Sequence, residues 1–261
     1  MSGPTIESIL RSRGAWFKGQ PQDTVGASDR ATVSKAIASQ YPVFETLRDR
    51  ILHNTDSYFR NVPVENPPLP EESLPLMRVL LDCGVAIITD KGHEICDAQG
   101  RKYLSGAWLE ELAWLAAMTA GADEAVFGQV IGWQVKGFSG ENEIDVIMRK
   151  GAALGFVSCK ALRSMLDMHD RKHRNRLMDA VHEADNLADH FGRPGDRVAV
   201  LVSTDLIDEG RGQHRYSALM GKAAVLDVRM IPLEEMEFGK LTQALAGMWE
   251  EASEQDVEAA Q

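Results

Sequence analysis

Glu141-Asn142-Glu143-Ile144-Asp145-Val146-Ile147-Met148-Arg149-Lys150-Gly151-Ala152-Ala153-Leu154-Gly155-Phe156-Val157-Ser158-Cys159-Lys160 is the stretch whose reading decides the fold. It reads as two strands joined by a turn at Lys150 to Ala153. Side chains alternate between faces along a strand. On the first strand Ile144, Val146 and Met148 then share one face, and Glu143 and Asp145 the other. On the second, Val157 and Cys159 share a face, and Ser158 and Lys160 take the opposite one. With the apolar sets packed on one core layer, the polar sets converge on one pocket, which receives two carboxylates and an ammonium.

Outward from this hairpin the pattern alternates between helix and strand. A helix is predicted from Ser105, as N-cap, through GAWLEELAWLAAMTA to about Ala120, with Gly121 as its stop. It is apolar around most of its circumference, so it is expected to be buried, with Trp108 and Trp114 in the core. The strand AVFGQVIGWQV leads into the hairpin. A helix over 172–191 follows, ending at Phe191-Gly192-Arg193-Pro194-Gly195, and then RVAVLVST, a β-branched run typical of a strand buried on both faces. A short helix at 213–222, a strand in AAVLDVRMI and a helix over 233–251 complete an α/β domain, 103–251, with a central mixed β-sheet flanked by helices. Before it, residues 66–102 read as a small winged-helix-like module: the helix ESLPLMRVLLDCG, then strands VAIIT and HEICD around the turn Asp90-Lys91-Gly92. The proline-dense NVPVENPPLPEES separates this module from a flexible and helical segment, 1–62, with helices at 29–40 and 43–59 and loosely docked residues up to about 28. An acidic tail, 252–261, closes the chain.

The whole chain, 261 residues with a formal net charge of −11, is too acidic to coat nucleic acid non-specifically. Its basic residues gather locally instead: Arg163, Arg171, Lys172, Arg174 and Arg176, with His169 and His173, are the candidates for contacting phosphates. His169 and His173 stand four apart, with His182 further on, but no HExxH exists and a solvated helix face is the better reading. Three cysteines, Cys83, Cys96 and Cys159, form no CxxC pair, which argues against a structural zinc site and a disulfide framework. The expected place is the cytoplasm, since neither a secretory leader nor a membrane-length apolar run is present.

Carboxylates beside a lysine suit phosphodiester hydrolysis. Hard carboxylate oxygens hold Mg²⁺ or Mn²⁺, the metal lowers the pKa of an attacking water, and a lysine stabilises the developing charge. The run EIDVIMRKGAALGFVSCK resembles the motif of the PD-(D/E)XK nucleases: an acid, a hairpin, then (D/E)-x-K. Asn142 to Val146, a strand ending Cys159-Lys160, and YLSGAWLEELA at 103–113 are similar to the nuclease domain of CRISPR-associated proteins that join a cyclic-oligoadenylate-sensing CARF domain to a restriction-endonuclease-like domain. The resemblance extends weakly over residues 72 to 232. It implies a restriction-endonuclease-like core, a divalent metal, DNA or RNA as substrate, homodimers and a role in antiphage defence. Carried over, Asp145 is the central metal ligand, Lys160 the catalytic lysine, Glu143 an accessory ligand, and Glu110 the carboxylate of the helix that opens the core. Glu111 remains an alternative to Glu110.

Two departures qualify the carry-over. Ser158 stands where the motif has an acid, so it is at best a poor ligand, and Glu143, Glu110 or Glu111 are candidates to replace it. The first 70 residues are too few for a CARF domain, so cyclic-oligoadenylate activation is not implied. A nuclease-derived binding or scaffold protein, and a nuclease activated by a partner chain, stay open as alternatives.

Overall fold

The computed structural model describes residues 3–20, 22–165, 170–208 and 210–258. In chain order the elements are α1 (Ile6–Ser12), β1 (Ala15–Lys18), α2 (Thr24–Asp29), α3 (Ala31–Ser39), α4 (Tyr41–Phe59), α5 (Leu74–Asp82), β2 (Ile87–Ile88), β3 (Glu94–Ile95), α6 (Ala98–Lys102) and α7 (Trp108–Thr119). Then come β4 (Glu124–Val135), β5 (Phe138–Lys150), β6 (Ala153–Lys160), α8 (Arg171–Phe191), β7 (Arg197–Val202), β8 (Ile207–Asp208), β9 (Gln213–His214), α9 (Ser217–Val225), β10 (Val228–Ile231) and α10 (Phe238–Glu258).

Six strands form the central sheet in the order β1-β4-β5-β6-β7-β10. The first three pairings are antiparallel and the last two parallel. This is the mixed sheet the sequence led us to expect, and its layers follow from strand parity. Val157 on β6 and Ala199 and Leu201 on β7 pack with α3, α4, α5, α7 and α10. Leu154, Phe156, Val198, Val200 and Val202 point the other way and pack with α1, α8 and α9. Helix α8 carries the chain from β6 back to its parallel neighbour β7, the crossover a parallel pair requires. Its buried residues Leu177, Ala180, Val181 and Ala184 repeat at helical spacing and fix which side meets the sheet. Trp108 and Trp114 are both in the core, as expected.

Several expectations need correction. Residues 15–18 are not loosely docked: β1 is an edge strand of the sheet, held against β4, and Arg13 beside it pairs with Asp196 in the interior. Period-2 alternation over only four residues was too short a signal to register. Ser105 is no N-cap. The chain runs helically from α6 through a π-helical turn, Tyr103–Ala107, into α7. In AAVLDVRMI the first three residues end α9, and the turn lies at Asp227, whose φ of 52° separates α9 from β10. Gln213 and His214, expected to open a helix, pair with β8 instead. Helix α10 continues past 251 into the acidic stretch.

The hairpin also departs from simple alternation. Val146 and Met148 face the α7 and α10 layer, but Ile144 packs with the α1 and α8 layer. On β4, Phe127 and Ile131 change sides in the same way. The register is the same on either side of the change, with Phe127 opposite Val146 and Gln129 opposite Ile144, but the ladder skips the one position between. Between them Gly128, opposite Asp145, has φ +53°, a conformation that favours glycine. So both strands roll over at the level of Asp145, and Ile144 does not share the face of Val146.

Candidate active site

At the roll β5 parts from β6. Their ladder ends at Val146 opposite Val157, while β6 stays paired with β7 as far as Lys160 opposite Val202. The Cys159 N–H, left without a strand partner on the β5 side, donates to Asp145 Oδ2 at 2.6 Å, and the Ser158 hydroxyl donates to the same oxygen at 3.3 Å. The carboxylate therefore sits in the fork between the two strands. Burial is the main cause that lifts Asp145 above the usual carboxylate range; these donors and nearby Lys160 oppose it.

The fork opens into a cleft of about 440 Å³ lined by Asp145, Ser158, Lys160, Glu143 and, from α8, Glu183 and Asn186. Asp145 and Lys160 thus face one hollow, as the hairpin reading requires. Trp133 and His190 stand at its rim with ring centroids 6.1 Å apart. The Lys160 ammonium pairs with Glu183 at 2.8 Å. Burial works against its charge, but Glu183 and Asp145 outweigh that and raise its pKa. Beyond Lys160 the backbone is clamped: Tyr41 donates to the Leu162 carbonyl at 2.5 Å, and Ser203 accepts from Leu162 N–H at 2.7 Å. Cys159 projects to the other side, half-buried against the α7 layer, and burial pushes its thiol well up, which leaves it a poor nucleophile.

Glu110 and Glu111 separate clearly. Glu111 is buried and paired with Arg30, at 2.5 and 3.1 Å. Glu110 lines a different hollow, with Lys102 and Tyr103, yet lies near enough to Asp145 and Glu143 to feel their charges. Burial first, then those two anions, raise its pKa to about 7. Glu143 is exposed on the cleft wall.

The donor set is all hard oxygen, and half-buried Asp145 has no ion-pair partner among the described residues. Mg²⁺ is commonly held by one or two carboxylates plus waters and substrate phosphates, which Asp145 with Glu143 on the same cleft fits. Among the described residues no three His, Cys, Asp or Glu side chains stand together as a ready metal cage. His169 lies outside the described residues.

Of the basic candidates, Arg163 is tied to Asp49 at 2.7 Å and Glu45 at 3.8 Å. Lys172 and Arg176 line a third hollow with Arg163 and His173, and they, like Arg171 and Arg174, are exposed. At 3.6 residues per turn, Lys172 and Arg176 share a stripe of α8 with Glu183, about 17 Å and 11 Å along the axis. Sequence reading missed Glu183, Asn186, His190 and Trp133. Polar residues at 183, 186 and 190, a row at helical spacing beside the apolar face of α8, were the available signal.

Solved proteins that share this fold include the following two. Protein VC1899 from Vibrio cholerae matches with a TM-score of 0.64 at 17% identity, over 95% of this chain and 62% of that one. Can2 from Sulfobacillus thermosulfidooxidans, solved in complex with cyclic tetra-adenylate, matches with a TM-score of 0.60 at 14% identity, over 94% of this chain and 61% of that one. No protein-family model matches the chain, and no curated protein does. The chain spans about three fifths of the length of each structural relative. The remainder left uncovered in this chain is far shorter than residues 1–62, so most of that segment belongs to the shared fold. At these identities the likeness is one of fold. Among the described residues no helix is long and apolar enough to cross a membrane.

Proposed function

We propose that this chain is a Mg²⁺- or Mn²⁺-dependent nuclease of the PD-(D/E)XK type, hydrolysing phosphodiester bonds in DNA or RNA, with a role in CRISPR-linked antiphage defence. The observation that carries the proposal is that Asp145 and Lys160, from strands that part at this level, line one cleft. The defence role rests on the resemblance of the 142–160 segment and on the fold shared with Can2. A homodimer and an activating partner chain belong to the same proposal by analogy.

When bound, the metal offsets charge on the scissile phosphate and lowers the pKa of the attacking water. Ser158 and Cys159 hold the Asp145 carboxylate in place, so Asp145 would be the residue to anchor the metal, with Glu143 and Glu110 adding negative charge nearby. Lys160 faces the cleft as an ammonium and stabilises charge that develops on phosphate oxygens. Lys172 and Arg176 hold the strand further along α8.

The Ser158 hydroxyl is turned to Asp145, and no three-carboxylate cage is preformed among the described residues. Those facts favour a second reading, a nuclease-like protein that binds nucleic acid without cutting it. Cleavage assays on single- and double-stranded DNA and RNA, with Mg²⁺ or Mn²⁺, decide between them. Metal-dependent cleavage that disappears in Asp145→Ala and Lys160→Ala supports the nuclease. Cleavage surviving both changes removes the site, and binding without cleavage in either metal selects the second reading.

A further inference from the structure

We propose that Glu183 is the positioning residue for Lys160, supplying from α8 the acid that β6 lacks at position 158. The assignment rests on the nuclease reading of the cleft. Position 158 lies two residues before Lys160 and on the same face of β6, where an acid would flank the lysine. Ser158 is 5% exposed and its hydroxyl donates to Asp145. It is neither charged nor free to hold an ammonium. Asp145 already accepts the Cys159 N–H and this hydroxyl. Among the described residues the one ion pair of Lys160 is with Glu183, at 2.8 Å.

The helix brings Glu183 there for structural reasons. Val181 and Ala184 on either side of it are buried, so the orientation of this turn of α8 is set by the core. Asn186 and His190, one and two turns on, line the same cleft. Beside Asp145 and Glu143 on β5 and the lysine on β6, the cleft therefore gains an acid from the crossover helix, and that acid is the one paired with Lys160. The rival account is a solvated pair: the Glu183 side chain is 59% exposed, and most such pairs can be lost at little consequence.

The test compares wild type, E183Q, E183D, and E183Q combined with Ser158→Glu. Cleavage with Mg²⁺ or Mn²⁺ gives kcat and KM, and fluorescence anisotropy with a labelled oligonucleotide, without added metal, gives affinity. E183Q is expected to lower kcat about tenfold or more, without weakening binding, because an anion leaves the cleft and Lys160 is freed to meet phosphate. Glu at 158 in the E183Q background should restore most of kcat and return affinity toward wild type, which a merely structural role would not do. E183D should fall between wild type and E183Q, and serves as the rescue arm if Glu at 158 prevents folding. E183Q turnover within about twofold of wild type overturns the assignment, as does absence of rescue by both acids. Wild-type protein that cuts nothing in either metal removes the nuclease reading. Affinity then decides Glu183 by itself: tighter binding in E183Q that an acid reverses supports it, and unchanged binding overturns it.

Discussion

Two aspartates grip β6 from opposite ends, and they do different work. Asp196 accepts the Leu154 N–H at 2.7 Å near the start of the strand, and Asp145 accepts the Cys159 N–H at 2.6 Å near its finish. Asp196 also accepts the Arg193 N–H at 2.8 Å and is paired with the Arg13 guanidinium, with both side chains under a tenth exposed. Every strong demand of that carboxylate is met by the protein. Among the described residues Asp145 has donors on one oxygen and no ion-pair partner, and Lys160, whose charge it feels, pairs with Glu183. A fully satisfied acid holds a fold together. An acid left with charge to spare in a cleft is the one available to a ligand.

The sharpest way to break this contrast is to neutralise each acid in turn. Asp145→Asn is expected to reduce cleavage on the order of 10²–10³-fold with Tm unchanged or raised, because burial already disfavours its charge. Asp196→Ala is expected to cost about 3–5 kcal/mol of unfolding free energy, since it strands the Arg13 guanidinium in the interior. Molecules that remain folded should cut at close to the wild-type rate. Chemical denaturation followed by cleavage assays on the same samples reads both. If Asp145→Asn is the variant that unfolds, or Asp196→Ala the one that stops cutting while folded, the division of labour is wrong.

Much of this contrast was legible in the sequence on one side and hidden on the other. The acid-and-lysine hairpin, the buried β7 run and the crossover helix follow from patterns local to a few residues. The roll at Gly128 was not legible, because a single glycine inside an apolar strand pattern does not announce a left-handed conformation. Ile144 was placed on the wrong face as a result. Edge strand β1 was hidden for a similar reason: its partner β4 lies more than a hundred residues away, and pairing at that distance leaves no local trace. Glu183 was hidden because its role depends on which turn of α8 meets the end of β6, a tertiary fact. By contrast, the choice between Glu110 and Glu111 needed only one partner: Arg30 holds Glu111.

Glu110 sharpens the comparison, because it too is a carboxylate short of a cation. Its pKa is raised to about 7 from an ordinary 4.5. In that interval the folded state holds the proton that the unfolded state has released. The contribution of Glu110 to stability therefore falls as pH rises from about 4.5 to about 7 and is flat above. Glu110→Gln should remove that share of the slope, leaving the share of Glu234, also raised to about 7, and leave the protein more stable at pH 8 on the order of 1–2 kcal/mol, after allowance for partial exposure. Denaturant melts at pH 5, 6, 7 and 8 measure this. A variant with the wild-type pH profile would show that Glu110 is as well served by its surroundings as Asp196.

The distinction between satisfied and available charge should hold for cations as well, with the smallest effects. Arg163 is engaged by Asp49 and Glu45, whereas Lys172 and Arg176 have no ion-pair partner among the described residues although they line the same hollow. An arginine already neutralised in the free protein gains less from a phosphate, because its existing partner must be given up. Lys172→Ala and Arg176→Ala should each weaken oligonucleotide binding by a few-fold at moderate salt. Each should also flatten the dependence of log K on log salt by about 0.7–0.9, one phosphate contact's worth. Arg163→Ala should change that slope by clearly less. Anisotropy titrations between 50 and 200 mM salt, about the range over which such slopes are resolved, test the ranking. Equal slopes for all three variants would mean that phosphate displaces the carboxylate partners freely. Pairing in the free protein would then say nothing about which cations nucleic acid uses.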